Sequence, residues 1–193
     1  MIINFFLDNR IGGPHIYSNY IKKKFKKYKF FNITSGKSKI SDYSLKNLKN
    51  KLKLLFPLEI IINILQIILI KKYFQKSKFF FVYTAYNIAP LIAGLILNKK
   101  IVWFILEKPN FPIFLIVNLF KNFSAIKIVC ITKKIFKTLK IKKYKIFSPK
   151  IDTNFWKKSD SQKISKNKLI ITCVGNINKT KNHLSLLNFL ENY

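Results

Sequence analysis

Three places in the chain carry residues suited to holding an anionic or sugar ligand. The first is Arg10-Ile11-Gly12-Gly13-Pro14-His15-Ile16-Tyr17. Two glycines after an apolar run let backbone approach a ligand closely, and Pro14 is pre-set for a first helical turn whose N–H groups point outward. Such a loop is an anion or sugar contact or an ordinary strand-to-helix turn, and no Gly-x-Gly-x-x-Gly or Walker pattern decides between the two. The second place is Val174-Gly175-Asn176-Ile177-Asn178-Lys179-Thr180-Lys181-Asn182. A strand that ends in glycine and hands over to lysine at a helix start suits phosphate, because helix-terminal N–H groups and ammonium charge act together. The third is Glu107, which follows the apolar run Ile101–Leu106. It is either a substrate hydrogen-bond acceptor at a strand end or the partner of a neighbouring lysine.

These residues need a scaffold, and the hydropathy pattern supplies one. Strand-length apolar runs alternate with helical patterns, the signature of an α/β protein with a parallel sheet. The spacing predicts strands over 2–7, 29–33, 79–83, 100–106, 126–131, 144–147 and 168–174. Helices are predicted over 14–28, 51–74, 88–97, 112–121 and 133–140, with a polar loop through 34–47. Runs such as Phe79-Phe80-Phe81-Val82-Tyr83 are continuously apolar, as in a sheet covered on both faces. The polar stretch Lys157–Lys163 has no periodicity and suits a domain boundary. The expected organisation is a Rossmann-like doubly wound domain over 1–149, a linker over 150–167, and over 168–193 the first strand and helix of a second domain. That last piece is too short to bury a core of its own.

Composition narrows the partners. The 193 residues include 37 Lys+Arg against 7 Asp+Glu, a net charge of +30, and Arg10 is the single arginine. Sequence readout of nucleic acid leans on bidentate arginine, so specific nucleic-acid binding is not expected. The charge itself attracts anionic lipid headgroups, nucleotides and polyanions. Cys130 and Cys173 each lie inside an apolar run, and His15 and His183 are far apart, so neither a disulfide framework nor a metal site is expected. Leu54–Ile70 is shorter than the ~18 residues of a spanning helix and carries Glu59, Asn63 and Gln66 on one face. A core or membrane-surface helix is the expectation there. Helix 14–28 interleaves Tyr17, Tyr20, Ile21, Phe25 and Tyr28 with lysines, so it either packs its stripe on the core or lies on an anionic membrane.

Taken in order, Gly12-Gly13-Pro14 with Tyr17, Trp103 through Glu107, Ile131-Thr132-Lys133, Ile151-Asp152-Thr153-Asn154-Phe155, and Val174-Gly175 through Lys181-Asn182 resemble the front of a family 4 (group 1) glycosyltransferase of the GT-B fold. The resemblance spans nearly the whole chain. It implies two Rossmann-like domains, the first binding the acceptor and the second a nucleotide-sugar donor, with retention of configuration and no cofactor or metal. By resemblance, Lys181 matches the lysine that neutralises the donor diphosphate, and Gly12 and Gly13 match the loop beside the reacting centre; the catalytic residues are unknown. Three departures stand beside it. Asn176 replaces the arginine usual in the family; Trp103-Phe104-Ile105-Leu106-Glu107 lacks the family's histidine; and the paired glutamates that hold the donor sugar belong beyond Tyr193.

The resemblance therefore implies a hexosyltransferase, truncated or split, acting on a polysaccharide or lipid-linked acceptor in cell-surface glycan assembly. Its expected place is the cytoplasm, with peripheral contact on the inner face of an anionic membrane. Whether this chain is itself an enzyme stays open, since most of the donor-binding domain is missing. The competing reading is a non-catalytic basic module that binds nucleic acid or anionic membrane with steep salt dependence.

Overall fold

A computed structural model describes residues 1–7, 12–46, 56–141, 145–147 and 183–191. The chain divides into two units, Met1–Lys150 and Ile151–Tyr193. The predicted strand 168–174 and linker 150–167 lie outside the described residues, and the element described in the second unit is the helix His183–Glu191.

The first unit contains β1 (Ile2–Phe6), α1 (Gly13–Lys24), β2 (Phe30–Ser35), β3 (Tyr43–Leu45), α2 (Phe56–Leu69), β4 (Phe79–Tyr83), α3 (Ala89–Ile96), β5 (Lys100–Ile105), α4 (Phe111–Phe120), β6 (Ile126–Cys130), α5 (Lys133–Thr138) and β7 (Lys145–Ile146). The strands form one sheet in the order β3-β2-β1-β4-β5-β6-β7, and every pairing is parallel. The fold is thus α/β and Rossmann-like.

Strand order dictates which face each helix covers. Crossovers between parallel strands are right-handed, so the side a helix takes depends on the direction the chain travels across the sheet. From β1 to β2 it moves one way, and from β3 through β7 it moves the other. Accordingly Ile3, Phe5, Phe80, Val82, Ile101, Trp103 and Ile128 meet residues of α2 to α5 in one cluster, which includes Ile67, Leu91, Val117 and Ile135. Phe6, Tyr83 and Phe104 meet Ile21 of α1 in a second cluster. Successive residues of a strand point to opposite faces, which is why these runs read as continuously apolar.

Several boundaries differ from expectation. α1 stops at Lys24, not Tyr28. Its last turn holds Lys22, Lys23 and Lys24, whose charge is favourable at a helix C-terminus. The predicted loop 34–47 contains β3, a three-residue edge strand held to β2 by the pairs Ile33–Tyr43 to Ser35–Leu45. The helix after it is α-helical over Phe56–Leu69 and tightens to a 3-10 helix over Ile70–Phe74, while 47–55 fall outside the described residues. Asn110 and Thr132 cap α4 and α5, accepting from the N–H groups of Ile113 at 3.4 Å and Ile135 at 3.3 Å.

Candidate functional site

An open parallel sheet binds ligands beyond the carboxyl ends of its strands, where the strand order reverses. Here the reversal lies between β1 and β4. Three pieces of chain meet that edge: the Gly12-Gly13 entry to α1, the turn 84–88 after β4, and Glu107 after β5.

Gly12 is the N-cap of α1 in extended backbone, and Pro14 follows in the first turn. A Cβ on Gly12 or Gly13 would meet nothing within 4 Å. Space in front of this backbone is therefore open, and protein packing does not require glycine at either position. The Gly12 N–H donates to Nδ1 of His15 at 3.3 Å, and the Gly12 carbonyl accepts from the N–H groups of His15 and Ile16 at 3.0 and 3.2 Å. The His15 ring in turn stacks on Phe6, centroids 4.2 Å apart. That ring begins a row: Phe6 stacks on Tyr83 at 4.8 Å and Tyr83 on Phe104 at 4.8 Å. The register produces the row, since Phe5 pairs Val82 and Tyr83 pairs Phe104. Stacking contributes about 0.5–1.5 kcal/mol per pair beyond burial, so the start of α1 is pinned to the centre of the sheet.

Beneath α1 lies a polar knot. Asn4 donates to Ser18 Oγ and to Asn32 Oδ1, each at 3.0 Å, and the Tyr83 hydroxyl donates to Asn4 Oδ1 at 3.5 Å. Burial holds the Tyr83 phenol well above its ordinary pKa. Asn4 and Asn32 are register partners on β1 and β2, so a slip of one strand would strand both amides.

The turn after β4 was not singled out by sequence reasoning, and among the described residues at this edge it holds the one non-glycine residue with positive φ. Thr84 has φ 73°, unusual for a β-branched residue. It is held there from β5: the Thr84 N–H donates to the Phe104 carbonyl at 2.9 Å, and Trp103 Nε1 donates to the Thr84 carbonyl at 2.9 Å. The next N–H, of Ala85, donates to Glu107 Oε1 at 3.0 Å. Asn87 Nδ2 reaches back to the Phe5 carbonyl of β1 at 3.1 Å. The only cue in the sequence was a polar Thr-Ala-Tyr-Asn following an apolar run. Strained backbone of this kind clusters at ligand sites.

Glu107 is half-buried, and burial raises its carboxyl pKa while the Ala85 N–H opposes the rise. Among the described residues its partner is the Ala85 backbone N–H rather than a lysine head group. Gly12, Gly13 and Glu107 thus lie at the same sheet edge, and the turn 84–88 is tied to Glu107 and to the end of β1. Lys181 and Asn176 lie outside the described residues. Among the described residues no group of three or more His, Cys, Asp or Glu is placed to hold a metal ion.

No protein-family model matches the chain. No curated protein matches it. Among solved structures, the chain is similar to HepE of Anabaena, solved in complex with UDP, with a TM-score of 0.60 at 14% identity. The likeness covers 82% of this chain and 46% of that one, so the chain spans about half the length of its neighbour. What the two share is the fold.

Proposed function

We propose that the chain is the acceptor-side part of a GT-B glycosyltransferase that moves a sugar from a nucleotide-sugar donor to a glycan or lipid-linked acceptor in cell-surface polysaccharide or glycolipid assembly. The observation that supports the reading is that Gly12-Gly13, after β1, and Glu107, after β5, stand at the same carboxyl edge of the sheet on either side of β4, and both belong to the motifs that in sequence resemble family 4. The UDP held by the HepE structure supports it from the fold side.

In this reading the open backbone of Gly12 and Gly13 takes the acceptor or transferring sugar closely. Glu107 presents a carboxyl group to a hydroxyl of the acceptor. Lys181, by its match to the family's lysine, neutralises donor diphosphate as a point charge, and Asn176 stands in the sequence where the family has arginine.

The test is transfer or hydrolysis from a panel of nucleotide sugars, with UDP sugars first, comparing wild type with Gly13→Val and Lys181→Ala. Turnover in wild type that falls at least ~100-fold in both variants supports the assignment. Turnover untouched by both would remove these residues from the site, and no turnover in the wild-type chain would remove the claim that this chain is by itself an enzyme.

A further inference from the structure

The outward face of α2, α3 and α4 is apolar in a protein otherwise crowded with lysine. α3 (APLIAGLI) and α4 (FPIFLIVNLF) carry no charged residue, and α2 carries one, Glu59. A helix on the surface of a soluble domain ordinarily turns a charged side to water. Instead, Leu58, Ile61, Leu65 and Leu69 form a ridge along α2 and are 49–78% exposed. Phe111, Leu115 and Leu119 form a second along α4, 53–73% exposed, and Ile96 of α3, the helix between them in chain order, is 60% exposed.

The α2 ridge runs on to Tyr73, which also lines a cleft of about 470 Å³ at the amino edge of the sheet. Lys27, Lys29, Lys72 and Lys76 line the same cleft. Four lysines lining one concavity, next to an uncharged ridge, are complementary to an anionic headgroup above acyl chains. A second copy of the chain would instead bring +30 against +30. Among the described residues no helix is long and apolar enough to cross a membrane, so the contact is peripheral.

The geometry points to docking of this face on an anionic bilayer: the α2 and α4 ridges enter the headgroup–acyl boundary, and the lysine cleft takes a lipid phosphate. This surface differs from α1, the basic helix that sequence singled out, whose Ile21 and Ser18 are buried against the sheet. The inference does not rest on the transferase reading.

Co-sedimentation of the full chain with vesicles of phosphatidylcholine alone, and with phosphatidylglycerol added, tests it. Binding is expected to the anionic vesicles only. The exposed double substitution Leu65→Glu/Leu115→Glu is expected to weaken it by at least about tenfold, and Lys72→Ala/Lys76→Ala by about fivefold per lysine. Ile16→Glu on α1 should leave binding unchanged, and thermal unfolding of each variant shows that it folds. Four results would overturn the proposal. They are no vesicle binding by wild type; binding that Leu65→Glu/Leu115→Glu leaves intact, the behaviour of a non-specific polycation; loss on Ile16→Glu instead; and a lipid-free dimer abolished by Leu65→Glu/Leu115→Glu, which would give the face to a second copy.

Discussion

The carboxylate of Glu107, at the end of β5, accepts a hydrogen bond from the backbone N–H of Ala85, 3.0 Å away in the turn that follows β4. Two neighbouring strand ends are thereby tied by a group that is partly withdrawn from water.

That withdrawal has a pH signature. Burial raises the folded-state pKa of Glu107 above its unfolded value near 4.5. A raised pKa means the folded chain holds the proton more tightly, so this contribution to stability is full below about pH 4.5 and is lost as pH rises through the raised value. Glu107→Gln keeps an oxygen for Ala85 and cannot ionise. Melting temperatures from pH 4 to 8 should show the variant gaining on wild type as pH rises, and a constant difference would show that Glu107 ionises as it does in the unfolded chain.

Thr84 predicts a stabilising glycine. Its φ of 73° costs a β-branched residue about 1–3 kcal/mol, whereas glycine adopts that backbone freely and gives up about 0.5–1 kcal/mol of chain entropy. Thr84→Gly should therefore stabilise by about 1 kcal/mol, a rise in Tm of about 2–4 °C for a chain of this size. A lower Tm in differential scanning calorimetry would mean the side chain contributes more than its strain removes.

Gly94 predicts the opposite. A Cβ there would lie 2.9 Å from Ile101 Cδ1 and 3.0 Å from Phe80 Cδ2, and both side chains are fully buried with little room to yield. Alanine gains up to about 1 kcal/mol of helix propensity at this α3 position, against about 1–3 kcal/mol for overpacking. Urea unfolding of Gly94→Ala should show a net loss of about 1 kcal/mol, and a net gain would show that α3 lifts from the sheet at little cost.

Cys130 is fully buried at the end of β6, and burial pushes its thiol up to about 11. Because the thiolate is the reactive form, a Cys173→Ser chain should react with an aromatic disulfide reagent at pH 8 at least ~100-fold more slowly when folded than in denaturant. Equal rates would place the thiol in solvent.

Most of the sheet was legible because its strands are buried on both faces. Phe79–Tyr83 reads as an uninterrupted apolar run, and Ile126–Cys130 as one broken only by the exposed Lys127. β3 was not legible, since Tyr43-Ser44-Leu45 is short and pairs only with β2 at the sheet edge. Gly12, Gly13 and Glu107 could be found from residue type and strand-end position. The role of Thr84 could not, because its backbone is set by Trp103, Phe104 and Glu107, some twenty residues onward, and no local propensity encodes that. The apolar character of α3 and α4 is visible as uncharged sequence, yet only the packing separates α3, covered along most of its length, from α4 with its open side.

The strand order also sets a clock for synthesis. β1 occupies the middle of the sheet, with one edge paired to β2 and the other to β4, whose residues Phe79–Val82 are made far later. At ribosomal speeds of roughly 5–20 residues per second, Ile2–Phe6 waits about 4–15 s for that second neighbour. During the wait, the strand whose five residues all end buried stands open along one edge. A nascent chain of this protein therefore presents one edge of a strand destined for the core to the folding machinery early and covers it late.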